Sequence, residues 1–156
     1  MREVIMNILL VNPETPCTFW SFRNALKFVA KKSSEPPLGL LTVAAMLPKD
    51  WSLKLVDMNV TILKDKQIQW ADYVFLGGLD VQKESFKLIV NRCNKLSVPV
   101  VAGGPMCTMD HSEFLGVDHF VLNEAELTLP QFLEDLQNGL LKRVYSSSEF
   151  PDLTKT

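Results

Sequence analysis

Val98-Pro-Val-Val-Ala-Gly-Gly-Pro105 is the stretch around which the predicted fold is organised. Apolar, mostly β-favouring residues run into two glycines and a proline, a pattern typical of a buried strand that ends in a sharp turn. A second stretch of the same kind lies upstream, where Tyr73-Val-Phe-Leu76 precedes Gly77-Gly78. In an open parallel sheet, ligands bind beyond the carboxyl ends of the strands, so two such turns indicate a binding edge. Because glycine carries no side chain, the two turns would leave a flat surface at this edge, which would suit a broad, flat ligand.

The rest of the chain alternates between strand and helix patterns. Short apolar runs, continuous or alternating with polar residues, predict five strands at 6–11, 52–57, 73–76, 98–102 and 117–122. Apolar residues at helical spacing predict helices between them, the clearest from Val81 to Leu96. Val144-Tyr145 is a candidate for a short additional edge strand. The alternation predicts a doubly wound, flavodoxin- or Rossmann-like α/β domain, with a mostly parallel five-stranded sheet, right-handed crossovers and helices on both faces.

Prolines mark two further predicted helices. Pro36-Pro37 opens the first main helix, because proline is tolerated in a first helical turn, and Pro48 ends it. The final helix is predicted to carry Pro130 in its first turn and to stop near Gly139.

Length and composition limit the class of protein. The 156 residues suffice for one domain with its own core, and 47% hydrophobic with 22% charged residues is ordinary for a globular chain. A net charge of −2, with no long run of either sign, predicts no nucleic acid or membrane partner. No apolar run could span a bilayer, no signal peptide is evident, and the three cysteines form no disulfide or metal pattern. These features predict a cytoplasmic protein.

Two segments fall outside the alternation of strands and helices. Residues 12–35 form a long connection with room for a helix at 18–29, and connections this long are usually functional. This connection carries an aromatic cluster and a basic patch: Phe19, Trp20, Phe22, Lys27, Lys31 and Lys32. After Tyr145 the chain reads Ser-Ser-Ser-Glu-Phe-Pro-Asp, which is typical of a linker. The sequence thus predicts one domain over 1–145 and the start of a linker, 146–156, to a further domain.

Several residues near the predicted strand ends are open to two interpretations. Asp57 and Asn59 follow strand two, where an acidic residue often binds a ribose hydroxyl, but they suit loop capping equally well. The pairs Gly77-Gly78 and Gly103-Gly104 either approach a ligand or simply turn the chain. Neither phosphate-binding glycine motif is present, which argues against nucleotide binding through such a loop.

The histidines and Cys107 are candidates for metal ligands or nucleophiles, but their sequence surroundings give little support for either role. His119 lies in an alternating strand, which favours packing, and His111 follows a glycine turn, which favours a surface position at a helix start. Neither has a partner at metal-ligand spacing. Cys107 has no base near it in sequence, so it is not predicted to be a nucleophile.

Six short segments occur along the chain in an informative order: Ile8-Leu-Leu-Val-Asn-Pro13, Pro36-Pro-Leu-Gly-Leu-Leu41, Leu55-Val-Asp57, Ala71-Asp-Tyr-Val-Phe75, Val101-Ala-Gly-Gly-Pro105 and Asn123-Glu-Ala-Glu-Leu-Thr-Leu129. In this order they resemble the cobalamin-binding domain that precedes the catalytic barrel in many radical SAM enzymes. No single segment is specific, and the order of all six, over nearly the whole chain, carries the resemblance. The last segment is commonly Gly-Glu-x-Glu-x-Thr in that family, and here Asn123 replaces the glycine.

The resemblance implies that the chain holds cobalamin at the predicted binding edge. Pro13, Thr15, Leu38 and Gly39 would lie under or beside the corrin ring, and the aromatic cluster would cover the ring or pack on a catalytic barrel. The remaining implied contacts, including four glycines that let the backbone approach the nucleotide tail, are Asp57, Asn59, Gly77, Gly78, Leu79, Gln82, Gly103, Gly104, Pro105, Asn123 and Glu124.

Departures from related families shape the expected chemistry. Cobalamin domains of the methionine synthase and mutase type carry Asp-x-His-x-x-Gly after strand one, with a histidine that binds cobalt, whereas this loop reads Asn12-Pro-Glu-Thr-Pro-Cys17. The resemblance therefore implies base-off cobalamin, without a histidine ligand, that serves as a methyl carrier. The Ser-x-Leu/Thr signature after strand three is replaced by Gly77-Gly-Leu79, so Gln82 or backbone amides would substitute for the serine hydroxyl.

The Cys-x-x-x-Cys-x-x-Cys motif that would hold an iron–sulfur cluster is absent, so this chain alone is not expected to be catalytic. S-adenosylmethionine and a 4Fe-4S cluster would belong to a downstream radical SAM domain, within a methyltransferase or a related oxidoreductase or cyclase. Two alternatives stay open. One is a B12-like scaffold that no longer binds cobalamin, and the other is a flavodoxin-like domain that binds a flavin or nucleotide.

Overall fold

The computed structural model describes residues 5–16 and 36–151 of the chain. In that part six strands form one sheet: β1 (Asn7–Asn12), β2 (Ser52–Asp57), β3 (Tyr73–Gly77), β4 (Val100–Gly103), β5 (His119–Val121) and β6 (Val144–Tyr145). The helices described are α1 (Leu38–Met46), α2 (Asp65–Trp70), α3 (Lys83–Lys95), α4 (Pro105–Met109) and α5 (Ala125–Asn138). Two short 3-10 turns, Asp80–Gln82 and His111–Glu113, precede α3 and follow α4.

The strands follow the order β2-β1-β3-β4-β5-β6, and every neighbouring pair is parallel. This arrangement confirms the predicted doubly wound α/β fold. The sheet has six strands rather than five, because Val144 and Tyr145 pair with Phe120 and Val121 of β5. The predicted helix at 18–29, the aromatic cluster and the basic patch lie outside the described residues.

Each face of the sheet buries an apolar layer beneath helices. Because side chains alternate along a strand, Leu76 and Ala102 face α2, α3 and α4, whereas Phe75 and Val101 face α1 and α5. The residues that α3 buries are those whose spacing predicted it: Phe86, Ile89, Val90 and Cys93. The two layers hold the sheet between helices, so the strand ends are left to the loops.

The last crossover connection, β5-α5-β6, differs in handedness from the β3-α3-β4 connection. The segment β5-α5-β6 crosses the sheet in the same direction as β3-α3-β4, but α5 lies on the opposite face from α3. The two crossovers therefore have opposite hands, a departure from the right-handed crossovers predicted throughout. On the face of α1, Phe132 of α5 makes edge-to-face contacts with Phe75 and Tyr145 at centroid distances of 6.0 and 5.5 Å, which stabilise this position of α5.

Helix α5 begins earlier than its proline predicted. Pro130 is the sixth residue of α5 rather than a first-turn residue, because the Glu124 carbonyl already accepts hydrogen bonds from the backbone of Leu127 and Thr128. The Thr128 hydroxyl also lies 3.2 Å from the carbonyl oxygen of Leu122 and 3.1 Å from that of Glu124. These contacts fix the start of α5 to the end of β5, at the edge where the loops converge.

Candidate functional site

A cavity of about 1160 Å³ lies at the carboxyl end of the sheet. The first turns of α1 and α5 border it, and Phe75, Val101 and Val121 contribute apolar side chains to it from β3, β4 and β5. Small-molecule sites usually enclose roughly 300–1,000 Å³, so this volume suits a large ligand. The cavity occupies the edge at which open α/β sheets bind ligands, beside β1, where the strand order reverses.

Most of the predicted site residues line this cavity. Those that do are Thr15, Leu38, Gly39, Asn59, Gly77, Gly78, Leu79, Gln82, Gly103, Gly104, Pro105, Asn123 and Glu124. Pro13 and Asp57 do not line it and instead hydrogen-bond within the surrounding loops. The structure therefore brings the predicted strand ends together, and contact between these residues and a ligand stays a prediction.

The geometry of the chain requires both glycines at the end of β4, Gly103 and Gly104. A Cβ atom at Gly103 would lie 2.5 Å from the carbonyl oxygen of Val121, in the neighbouring strand. Gly104 has a φ of +90°, which residues with side chains rarely adopt, and its Cβ would lie 3.4 Å from the backbone of Gly78. Of the two interpretations of this pair, chain geometry is therefore sufficient, whether or not a ligand is bound.

The two glycines at the end of β3, Gly77 and Gly78, face opposite sides of the sheet. A Cβ atom at Gly77 would lie 3.4 Å from the side chain of Leu40, a residue of α1 that lines the cavity. A Cβ atom at Gly78 would instead lie 3.2 Å from Phe86, in the core layer beneath α3. Gly77 thus keeps space open on the side of α1, whereas Gly78 is needed for packing on the other side.

Asp57 and Asn59 hold the loop that follows β1. Asp57 Oδ1 accepts hydrogen bonds from Asn12 Nδ2 at 3.1 Å and from the backbone and side-chain nitrogens of Asn59 at 2.9 and 2.8 Å. Asn59 accepts a hydrogen bond from the backbone N–H of Thr15 at 2.8 Å and donates one to the carbonyl of Pro13 at 3.1 Å. These bonds support the interpretation of Asp57 as a loop-capping residue rather than a ligand contact.

Gln82 holds the same loop from the side of β3. Its side chain is buried, and Nε2 donates to the Pro13 carbonyl at 2.7 Å and to Thr15 Oγ1 at 3.2 Å. Its Oε1 accepts from the backbone N–H of Leu79 at 2.9 Å. The amide hydrogens are bonded within the protein, so Gln82 is less suited to replace a serine hydroxyl at a ligand than the sequence predicted.

Asn123 stands where the resembling family usually carries glycine. Its φ is +61°, in the left-handed region that glycine adopts freely and that asparagine tolerates better than most residues. Its backbone N–H donates to Thr108 Oγ1 at 3.0 Å, and its side-chain amide donates to the carbonyl of Ser147. Asn123 therefore ties the segment after β6 to the mouth of the cavity.

That segment is the main part of the site that sequence reasoning missed. Residues 147–150 line the cavity, although their composition is typical of a linker. Only the pairing of Val144-Tyr145 with β5 could have indicated it, because that pairing brings the following residues to the carboxyl edge. Glu14, Val81 and Thr108 also line the cavity and were missed, although each lies within a few residues of a predicted contact.

Acidic and apolar side chains share the cavity wall. Its charged residues are Glu14, Glu124, Glu126 and Glu149, and within 5–16 and 36–151 no lysine, arginine or histidine lines it. Four of its apolar side chains are more than half exposed to solvent: Leu38, Leu79, Val81 and Phe150. The wall therefore suits a ligand that is partly apolar and not strongly anionic.

The remaining chemically active side chains take structural positions. His119 Nδ1 lies 2.7 Å from the carbonyl oxygen of Lys142, and its ring packs 5.8 Å from that of Phe132, as the strand pattern predicted. Burial raises the pKa of Cys93 to about 11 and that of Cys107 to about 12, so both thiols are neutral and unreactive at physiological pH. Among the described residues no group of three or more histidine, cysteine or acidic side chains could hold a metal ion.

Comparison with known proteins finds one matching family model and two similar proteins. A family model for the B12 binding domain matches residues 29–133. An uncharacterized methyltransferase of Synechocystis sp. is 38% identical over 153 residues, covering 97% of this chain and 28% of its own length. A hopanoid C-2 methylase of Rhodopseudomonas palustris is 27% identical over 152 residues, covering 94% of this chain and 29% of its own length.

The chain thus spans less than a third of the length of these relatives. No solved structure matches it. Among the described helices, none combines the length and the apolar character needed to cross a membrane.

Proposed function

Since this chain belongs to the family of B12-binding domains, we propose that it binds cobalamin in the cavity at the carboxyl end of the sheet. Bound cobalamin supplies a cobalt centre that can accept and pass on a methyl group. The proposed role of the chain is to hold and orient this cofactor, whereas methyl transfer would be an activity of the whole protein. The observation that carries the proposal is the size and position of the cavity.

The volume and the polarity of the cavity suit a corrinoid. A corrin is a broad apolar ring whose edge carries amide groups. Leu38, Leu79, Val81 and Phe150 offer apolar surface to such a ring, and covering apolar surface is favourable by roughly 25 cal/mol per Å². Carboxylates and backbone groups of the wall can accept hydrogen bonds from the amides. The residues proposed to hold cobalamin are the predicted site residues that line the cavity, from Thr15 to Glu124, apart from Gln82, whose amide is hydrogen-bonded within the loop.

The charge of the wall favours cobalamin over a flavin nucleotide. A phosphate monoester carries roughly −1.5 to −2 charges at neutral pH, whereas the phosphodiester of cobalamin is balanced by the positive metal centre. Glu124, Glu126 and Glu149 line the cavity, and no lysine, arginine or histidine of the described ranges lines it. A flavodoxin-like role with a bound flavin nucleotide would place like charges together, so this alternative is not proposed.

We propose that the cofactor is bound base-off, without a histidine ligand from the chain. The loop after β1 contributes Asn12, Glu14, Thr15 and Pro16 to the cavity, and none of these is a histidine. His111 and His119 do not line it. The nucleotide tail would then be held by the protein rather than by cobalt, which is consistent with a cavity larger than an ordinary small ligand requires.

The whole protein is proposed to be a radical SAM methyltransferase. One relative is a methyltransferase and the other a methylase, which supports the transfer of methyl groups. Both relatives are more than three times as long as their match to this chain. The radical SAM assignment rests on the resemblance of the six segments. S-adenosylmethionine and a 4Fe-4S cluster would be bound by a domain downstream of residues 146–156, in the same polypeptide.

Equilibrium dialysis of the chain against hydroxocobalamin tests the proposal. The expected result is one bound cofactor per chain, with an absorption spectrum of the base-off form after reduction, and no retention of flavin mononucleotide under the same conditions. A folded chain that retains no cobalamin would overturn the proposal and support a degenerate scaffold. Retention of the flavin in preference to cobalamin would support the flavodoxin-like alternative.

A further inference from the structure

The loop that follows β1 is fixed from two sides. The carbonyl oxygen of Pro13 accepts hydrogen bonds from Asn59 Nδ2 at 3.1 Å and from Gln82 Nε2 at 2.7 Å. The backbone N–H of Thr15 donates to Asn59 Oδ1 at 2.8 Å. Asn59 follows β2, and Gln82 belongs to the turn after β3, so the loop is braced between the strands on either side of β1.

The amide of Gln82 can adopt only one orientation in these surroundings. The backbone N–H of Leu79 needs an acceptor, and only Oε1 of the amide can accept its hydrogen bond. The Pro13 carbonyl needs a donor, and only Nε2 can donate. Reversing the amide would break both bonds and would place a donor against a donor at one end. The position of Nε2 is therefore set by the chain.

The orientation of the Gln82 amide determines whether the Thr15 hydroxyl donates or accepts the hydrogen bond between them. The two hydrogens of Nε2 have three acceptors within reach: the Pro13 carbonyl at 2.7 Å, Thr15 Oγ1 at 3.2 Å and Asn12 Oδ1 at 3.5 Å. Because Nε2 can only donate, Thr15 Oγ1 accepts in the nearer of the two side-chain contacts, and its hydroxyl hydrogen is left to donate to another group. Among residues 5–16 and 36–151, no group accepts a hydrogen bond from that hydroxyl. Thr15 is half-buried and lines the cavity, so a ligand that displaces water there can accept this hydrogen.

We propose that Gln82 is a positioning residue that makes the Thr15 hydroxyl a hydrogen-bond donor toward the corrinoid. This inference rests on the proposed function and adds the direction of one hydrogen bond between the chain and the cofactor. The cofactor atom that Thr15 recognises must be an acceptor, such as the carbonyl oxygen of a corrin amide. Gln82 does not touch the cofactor in this role, and it acts through Thr15 and through the shape of the loop.

Two substitutions at Thr15 provide the first test. Thr15→Val keeps the shape of the side chain and removes the hydroxyl, whereas Thr15→Ser keeps the hydroxyl and removes a methyl group. The dissociation constant for hydroxocobalamin is expected to rise about three- to tenfold in Thr15→Val, the worth of one hydrogen bond, and to stay within about twofold in Thr15→Ser. Equilibrium dialysis measures the constants, and urea unfolding checks that both variants are folded.

A substitution at Gln82 tests the coupling. Gln82→Glu preserves size but replaces the donor by a carboxylate oxygen, so the Thr15 hydroxyl would donate to it and no longer to the cofactor. We expect weaker cobalamin binding at pH 8, by at least the loss seen in Thr15→Val. The double variant should bind no more weakly than Gln82→Glu alone, because both changes remove the same donor.

The outcomes separate this inference from the proposed function. Wild-type affinity in folded Thr15→Val would overturn the role of Thr15 and leave cobalamin binding intact. Fully additive losses in the double variant would overturn the coupling, because the two residues would then act independently. Failure of the wild-type chain to retain hydroxocobalamin would overturn both proposals. If Gln82→Glu does not fold, the comparison of Thr15→Val with Thr15→Ser still decides whether the hydroxyl is needed.

Discussion

Gly39 and Gly103 both line the cavity, but an added methyl group would meet different surroundings at each. At Gly39, in α1, nothing lies within 4 Å of the new Cβ, and alanine is favoured over glycine in a helix by roughly 0.5–1 kcal/mol. At Gly103 the Cβ would meet the Val121 carbonyl, which can move only if β4 and β5 separate. Gly39→Ala should therefore stabilise the domain, whereas Gly103→Ala should destabilise it by about 1–3 kcal/mol. Urea unfolding measures both changes.

The same Gly39→Ala variant tests where the cofactor lies. Its methyl group would occupy open space at the cavity wall, so hydroxocobalamin binding should weaken while stability rises. Ala45→Ser, at an exposed position of α1 that does not line the cavity, is the matched control and should leave affinity unchanged. Unchanged affinity in Gly39→Ala would contradict the placement of cobalamin beside α1.

Buried thiols predict how stability responds to alkaline pH. Burial raises the pKa of Cys93 and Cys107 from 9.0 to about 11 and about 12, so an unfolded chain releases protons that the folded chain retains. Their contribution is complete below pH 9 and is lost as the pH rises through 9 toward 12. The free energy of unfolding should fall by about 1 kcal/mol per thiol between pH 8 and pH 10, measured by urea unfolding. Alkylation of Cys107 by iodoacetamide in the folded chain at pH 8 would contradict this account.

At the scale of the elements, α5 carries a proline in its interior. Pro130 has no N–H to donate to the carbonyl of Glu126, and its ring crowds that group. Pro130 is exposed and does not line the cavity. Pro130→Ala should therefore raise the free energy of unfolding, by up to about 3 kcal/mol, without changing the affinity for cobalamin. Thermal and urea unfolding measure the effect, and a less stable variant would show that the helix depends on its proline.

Elements with a long local pattern were predictable from the sequence, whereas the shortest strand was only a candidate. The thirteen residues of α3 place four buried side chains at helical spacing, and this pattern needs no knowledge of the rest of the chain. Strand β6 has two residues, so only its pairing with β5 defines it. The face on which α5 lies depends on contacts of Phe132 with Phe75, 57 positions earlier in the chain, and no local pattern encodes that distance.

At the scale of the whole molecule, the position of the candidate site was predictable from local sequence, whereas the roles of its residues were not. The carboxyl ends of parallel strands converge, which is why residues chosen at those ends from the sequence line one cavity. The roles of individual residues depend on partners far away in sequence. Gln82 bonds to Pro13 across 69 positions, and this contact changes it from an expected ligand contact to a support of the loop.

The cavity and the charge of its wall together predict a selective effect of ligands on the whole domain. A ligand that binds only the folded state stabilises it by about 2.7 kcal/mol at a hundredfold excess over its dissociation constant. For a chain of this size, 1 kcal/mol shifts the melting temperature by roughly 2–4 °C, so saturating hydroxocobalamin should raise it by about 5–10 °C. Flavin mononucleotide should leave it unchanged, because its phosphate would lie among Glu124, Glu126 and Glu149. Differential scanning fluorimetry measures both shifts, and an equal shift with the two ligands would show that the wall does not select by charge.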